Sequence, residues 1–296
     1  MIDLDALAAL RAVAQHGSVI AAASATGYTP SAVSQQIKRL ERQTGVPLLE
    51  RVGRGVMLTS QGRHLVDAGA RVLADLEELE ADLQASHGRV SGRVRLAAFS
   101  TAVRGLVAPV VRRLRDEHPD LTLVVDEREP WDTVDMVAGG QAEIGLVHRW
   151  GDVPLELPDH VVAHRVTRDL ADLIVPHDHP LAARRRVTPH DLVDVDWIAT
   201  PEGTICRQWL HRMYDGTGHP PRIAHISGEF DSHLALVGAG LGVALIPRLG
   251  RAPLGPDVTA VEVRDPQPVR MIDALHRRTM AASPAVQAVL AAFTEL

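Results

Sequence analysis

Apolar residues in the first sixty positions recur at helical spacing in three short bursts. Leu4, Leu7, Leu10, Val13 and Ala14 give an apolar face to a first helix, which His16-Gly17 ends. Ser18 suits the N-cap of a second helix, whose Ala21-Ala22-Ala23 run is small enough for close packing. Thr29-Pro30 reads as an N-cap followed by proline at the first helical position, opening a third helix that extends to about Gln43. Val33, Ile37 and Leu40 face inward there, and Ser31, Ser34, Gln35, Lys38 and Arg42 are left outside. Two short helices joined by a glycine turn, the second polar on its outer face, predict a helix-turn-helix. Beyond Gly45-Val46-Pro47, the runs Leu48–Arg51 and Val56–Leu58 predict two short strands around Val52-Gly53-Arg54-Gly55. Such a wing carries an arginine at its tip, suited to a narrow minor groove.

The pattern then changes. From Thr59 to about Ser86 there is no proline, and Leu65, Gly69, Val72, Leu76, Leu79 and Leu83 alternate steps of four and three. That is the seam of a coiled coil, and it predicts one long helix that dimerises through Leu65, Val72, Leu76, Leu79 and Leu83. His87-Gly88-Arg89 and Ser91-Gly92 predict a hinge. Beyond Gly92, strands and helices alternate: Val94–Ala98, Thr101–Glu117, Leu121–Asp126, Thr133–Val137 and Ile144–Val147 form a βαβαβ unit with a mostly parallel sheet. A second unit follows Val161, with a strand at Leu173–Val175, turns after His179-Pro180, a strand at Trp197-Ile198, and helices over Thr204–Tyr214 and Ser232–Val237. Met271–His276 and a final helix, Pro284–Thr294, return to the first unit.

Composition changes this picture little. The 296 residues are 46% hydrophobic and 23% charged, which permits a packed core without disulfides, and the single Cys206 excludes an intramolecular disulfide framework. The N-terminus has no basic, then apolar, leader pattern, and no run is long enough to span a bilayer, so a cytoplasmic protein without a membrane partner is expected. The net charge of -6 argues at first against nucleic acid. Its distribution argues the other way. In residues 1–59, six arginines and lysines outweigh four carboxylates, a net of +2, and the cations concentrate between Lys38 and Arg54; in residues 60–87, two cations face six carboxylates, a net of -4.

Wording adds specificity that spacing lacks. His16-Gly17-Ser18, Ala21-Ala22-Ala23, Thr29-Pro30-Ser31-Ala32-Val33-Ser34-Gln35-Gln36-Ile37, Leu40-Glu41, Gly45-Val46-Pro47-Leu48-Leu49-Glu50-Arg51 and Leu58-Thr59 together resemble the LysR-type winged helix-turn-helix. Leu49 stands where the family often carries phenylalanine, and Gln35 where several members carry arginine. The second departure bears on operator preference. Later text is similar too: His118-Pro119, His179-Pro180-Leu181-Ala182 and Leu236–Pro247 match the effector domain of those regulators.

The resemblance implies an α/β protein with an all-α-type N-terminal winged helix-turn-helix and a C-terminal two-lobed periplasmic-binding-protein-like α/β domain. The expected bounds are 1–59 for DNA binding, 60–87 for the dimerisation helix and 88–296 for the effector domain, with lobe I at about 93–160 and 268–296 and lobe II at about 161–267. Pro30, Ser31, Ser34 and Gln35 are expected near bases, Lys38 and Arg42 on phosphates and Arg54 in the minor groove, with Ser18, Thr29 and Arg51 completing the DNA-facing set. The protein is expected to act as a homodimer or homotetramer on a two-fold operator, with RNA polymerase as a further partner. Effectors in such folds sit between lobes, where helix starts aim free N–H groups. Ser100 and Thr101 in one lobe and Thr200, Gly203 and Thr204 in the other suit a small oxyanion, with Trp131, His148 and Phe230 as further cleft residues.

Other readings are weaker. Gly238-Ala239-Gly240-Leu241-Gly242 lacks the third glycine of a dinucleotide loop and stands between a helix and a strand, the reverse of the required order. His177-Asp178-His179 before a proline is an exposed turn more readily than a metal site, and Cys206 has no second thiol for an intramolecular redox switch. Neither a cofactor nor a metal is expected. The competing class is a small-molecule-binding protein or enzyme with no DNA role, which predicts a monomer without affinity for duplex DNA; no nucleophile-elbow pattern supports it.

Overall fold

The computed structural model describes residues 2–295 apart from Arg54, Gly88 and the side chain of His87. Three helices open the chain: α1 (Leu4–His16), α2 (Val19–Thr26) and α3 (Pro30–Thr44). Each has the cap its sequence offers. Asp3, Ser18 and Thr29 accept from the free amides of the first turns, and Gly17, Gly27 and Gly45 close the helices with φ near +72°, a left-handed conformation that costs glycine little. Ala6, Leu10, Val13, Val33, Ile37, Leu40 and Leu48 form their shared core. Ala12 completes the buried face of α1, and Ala14 stands in solvent. The wing is the antiparallel pair β1 (Leu49–Val52) and β2 (Gly55–Leu58). Glu41 anchors its root by accepting from Leu48 N and Leu49 N at 2.9 and 3.3 Å.

The long helix α4 (Ser60–His87) leaves the wing and packs at once on α1. Two glycines make that approach possible: a Cβ on Gly62 would lie 2.2 Å from Leu48 O, and one on Gly69 would lie 2.7 Å from the Leu7 methyls. Leu65 therefore joins the winged-helix core instead of the dimer seam, because the start of the helix is spent on its own domain.

In the second domain, β3 (Gly92–Ala98) leads into a helix that starts at α5 (Ser100–Ala102), passes a π-turn at Val103–Val107 and continues as α6 (Ala108–Glu117). Then come β4 (Leu121–Glu127), α7 (Pro130–Ala138), β5 (Ile144–Trp150) and the sixteen-residue β6 (Val161–Pro176). Lobe II holds β7 (Arg186–Val187), β8 (Asp196–Ala199), α8 (Ile205–Met213), β9 (Arg222–Ile226), α9 (Phe230–Gly238), β10 (Ala244–Pro247) and β11 (Val258–Val263). The chain returns through β12 (Val269–Arg277) to α10 (Pro284–Thr294).

One sheet runs through both lobes in the order β4-β3-β5-β12-β6-β11-β7, with β10 also on β6. Only part of it is parallel: β3 pairs in parallel with β4 and β5, and β12 is antiparallel to both β5 and β6. The crossover also comes later than the sequence suggests. Residues 161–170 of β6 still pair with β12 in lobe I, and Ala171–Pro176 pair with β10 and β11 in lobe II. The lobes therefore divide near Leu170-Ala171, not at Val161, because one continuous strand serves both lobes. Separate apolar cores fill lobe I and lobe II, and a small cluster of Trp150, Val153, Ala171, Ile205 and Trp209 lies between them.

Candidate DNA interface and effector cleft

On α3, Thr29, Pro30, Ser31, Gln35, Lys38 and Arg42 are exposed together, and Ser34 is half-buried beside them. Thr29 spends its hydroxyl oxygen as acceptor for Ala32 N at 3.2 Å. Ser18 likewise caps α2, accepting from Ala21 N at 3.1 Å, so its position is that of a structural cap at the edge of the face. Arg39 is held by Asp3 at 2.6 Å and stitches α3 to the start of α1. Arg51 is exposed on β1; Arg54 lies outside the described residues. Tyr28, which sequence reasoning treated only as filling the turn, is 52% exposed directly before the face.

Further along α4, Val72, Leu79 and Leu83 are 48%, 54% and 56% exposed, and Leu76 is half-buried. These residues form a stripe of leucine and valine on an otherwise acidic helix. Its other side is pinned to lobe I. Arg277, 6% exposed, donates from Nε and Nη2 to the Glu77 carboxylate at 2.5 to 3.0 Å and from Nη1 to Val137 O and Ala142 O at 2.6 Å. Thr279 also donates to Glu77. The Glu77 carboxyl is desolvated, yet the Arg277 guanidinium beside it holds it below the ordinary carboxylate value. The winged helix touches the same lobe, with Arg11 Nη2 donating to Gly139 O at 2.8 Å and Gln141 Nε2 lying 2.7 Å from His16 Nε2.

The expected cleft residues separate into groups. Thr101, 2% exposed, accepts from Arg270 Nη2 at 2.7 Å, and that guanidinium also pairs with Asp169 at 2.8 Å and lies 5.1 Å from the Phe99 ring centre. Thr204 caps α8, accepting from Arg207 N at 3.2 Å and donating to Pro201 O at 2.8 Å; Thr200 then donates to Thr204 Oγ1 at 2.8 Å. Gly203 is exposed with φ +84°, and Ser100 is half-buried at the helix start. His148 is buried edge-on to Phe99, and burial holds its pKa well below the usual imidazole value. Trp131 is half-buried against the interlobe cluster. Of the helix-start hydroxyls that suggested an anion site, those of Thr101, Thr200 and Thr204 thus already have protein partners.

Between the lobes lies a cavity of about 20 Å³ of water-accessible space, bounded by Trp150 of lobe I and by Thr200, Cys206, Trp209, Phe230 and His233 of lobe II. Thr200 and Phe230 were expected here. Trp150, Trp209 and His233 were not, although a signal existed: Trp150 follows His148 by two positions, on the same side of β5, and Trp209 follows Ile205 by one helical turn. Burial pushes the Cys206 thiol up to about 12. Among the described residues, no group of three or more His, Cys, Asp or Glu is placed to hold a metal ion.

Comparison with known families agrees with this layout. Residues 4–63 match the model of bacterial regulatory helix-turn-helix proteins of the lysR family, and residues 87–296 match the LysR substrate binding domain. The chain belongs to the LysR family of transcriptional regulators. LysR regulators bind operator DNA and small-molecule effectors and act as oligomers. Among LysR relatives, a probable hydrogen peroxide-inducible genes activator of Streptomyces viridosporus is 31% identical over 300 residues, covering 98% of this chain and 92% of that one. A small neutral protease regulatory protein of Streptomyces coelicolor is 32% identical over 242 residues, covering 81% and 71%. A full-length OxyR variant from Pseudomonas aeruginosa superposes with a TM-score of 0.74 at 19% identity over 99% and 95% of the two chains. Full-length CbnR bound to its target DNA superposes at 0.56 with 21% identity over 99% and 98%. At such identities these two structures share the LysR fold with this chain.

Proposed function

We propose that this LysR-type regulator reads duplex DNA through Pro30, Ser31, Ser34 and Gln35, with Lys38, Arg42, Arg51 and Arg54 on the backbone and minor groove. It does so as a dimer or tetramer joined along α4, and an effector enters between the two lobes. The functional units are residues 1–59, 60–87 and 88–296. Effector-driven closure changes the spacing of the paired helix-turn-helix units, and with it operator bending and polymerase recruitment.

One observation carries this reading: a single surface of α3 leaves Ser31, Gln35, Lys38 and Arg42 exposed, the two cations without an ion pair among the described residues, whereas Arg39 of the same helix is taken by Asp3. Unpaired cations beside short hydrogen-bonding side chains suit a phosphate-flanked major groove. The test is binding of the purified protein to duplex from its own upstream region at 50 and 200 mM salt, beside Gln35→Ala and Lys38→Ala. Lys38→Ala is expected to weaken all duplexes and lower the salt slope by about 1, and Gln35→Ala to cost about 1–3 kcal/mol on the specific site. A well-folded monomer indifferent to every duplex overturns the reading.

A further inference from the structure

The interlobe cavity leaves an unusual set of polar groups without partners. Among the described residues, Trp209 Nε1 and His233 Nδ1 are buried with no hydrogen-bond partner, on side chains 7% and 1% exposed, and Trp150 Nε1, on a side chain 1% exposed, has only the weakly accepting Cys206 sulfur beside it. All three residues line the one cavity. Leaving a buried donor or acceptor unmatched is costly, so two at one site, beside an indole met only by a thiol, call for an occupant.

Their roles are fixed by chemistry. An indole nitrogen only donates. His233 Nε2 lies 2.9 Å from the Ser227 carbonyl oxygen, which can only accept, so the ring proton sits on Nε2 and Nδ1 presents a bare lone pair. Burial lowers the His233 pKa and keeps this neutral form. The occupant must therefore accept from the indoles and donate to the imidazole. A hydroxyl has one hydrogen and two lone pairs and meets all three. A carboxylate meets the indoles but sets its own lone pairs against Nδ1.

Charge points the same way. The guanidinium that acts on the cavity's Cys206 is Arg270, and it is already committed to Asp169. Glu129 adds negative charge to the surroundings of Cys206, and its own carboxyl is raised by burial and by the charges of Asp132, Glu127 and Glu229. The walls are aromatic, with Trp150, Trp197, Trp209 and Phe230.

From this we propose that the cleft receives a small uncharged hydroxylated aromatic molecule, its hydroxyl seated among Trp150 Nε1, Trp209 Nε1 and His233 Nδ1. The inference rests on the reading that the effector enters between the lobes. The cavity now has room for about one water, so the lobes part to admit ring and hydroxyl and then close around them.

Phenol, toluene and benzoate, near-equal in size, separate the possibilities when titrated into the full-length protein at pH 7.5 and followed by tryptophan fluorescence. Phenol is expected to bind at least tenfold tighter than either of the others, and Trp209→Phe and Trp150→Phe to weaken phenol roughly three- to tenfold while leaving toluene unchanged. Benzoate binding as tightly as phenol, no phenol binding at all, or a preference unmoved by both variants overturns the hydroxyl assignment. Phe230→Trp fills the cavity and tests the underlying reading. Phenol binding that survives it, with the melting curve intact, places the ligand elsewhere and sinks the cleft reading itself.

Discussion

Buried imidazoles at His148, His233 and His276 share one consequence. Each has its pKa lowered, with burial the leading cause, so in the folded chain each stays neutral at a pH where an unfolded chain, near 6.5, begins to take up protons. The unfolded state then binds more protons, and the stability these residues contribute is present above that value and lost as pH falls below it. The Glu77 carboxyl, lowered by Arg277, adds a loss of the same sign at more acidic pH. A melting temperature that declines from pH 7.5 to 5.5 is expected, and His233→Asn should flatten the decline; scanning calorimetry at both values measures it. A flat profile in the wild type would contradict the assignment of neutral buried rings. At this scale the sequence was legible where a residue's job is local. Thr29, Ser18 and Thr204 announce caps by their neighbours. Trp150, Trp209 and His233 line one cavity only because β5, α8 and α9 converge, and no local pattern records that.

Elements were legible where their period is long and regular. The three opening helices and α4 fall within a residue or two of their expected bounds, since capping residues and a four-three stripe fix them. The strands β9 and β11 were not anticipated, being short and lacking a clean alternation, and β6 was seen only as its apolar end, Leu173–Val175. In its first half His164, Arg165, Thr167 and Arg168 interrupt the apolar residues, because that stretch lies on the lobe I sheet with charged residues such as Arg165 meeting Asp273. The seam on α4 needed correction at one end, where Leu65 belongs to the winged helix. The remaining stripe makes a sharp prediction. Leu79→Glu places a charge in a seam whose outer faces are already acidic, and is expected to shift the protein from dimer or tetramer to monomer in sedimentation velocity with helix content unchanged. Undiminished assembly would show that α4 is not the joining surface.

The molecule as a whole was legible in its division of labour and not in how its parts lock together. Family-specific wording marks both domains, but the Arg277–Glu77 clasp joins residues two hundred positions apart. Arg277 is buried and spends its charge on Glu77 alone, so Glu77→Gln leaves a cation without compensation at the junction. The expected result is release of the helix from lobe I, read as a larger radius of gyration in small-angle X-ray scattering and faster proteolysis around residues 88–92. Unchanged compactness would mean that the Arg11–Gly139 contact and packing on α10 suffice to hold the domains together.

The close approach at Gly62 and Gly69 bears on how motion would travel. With no side chain there, α4 is seated against the winged helix at backbone distance, so that domain and helix turn as one stiff arm. Its 28 residues measure roughly 42 Å at 1.5 Å per residue. A tilt of about 5° at the lobe I end then sweeps the far end by roughly 3.7 Å, close to the 3.4 Å rise of one base step. Leverage of this kind lets a rearrangement smaller than a side chain at one end move the DNA-reading end by a full step along the duplex.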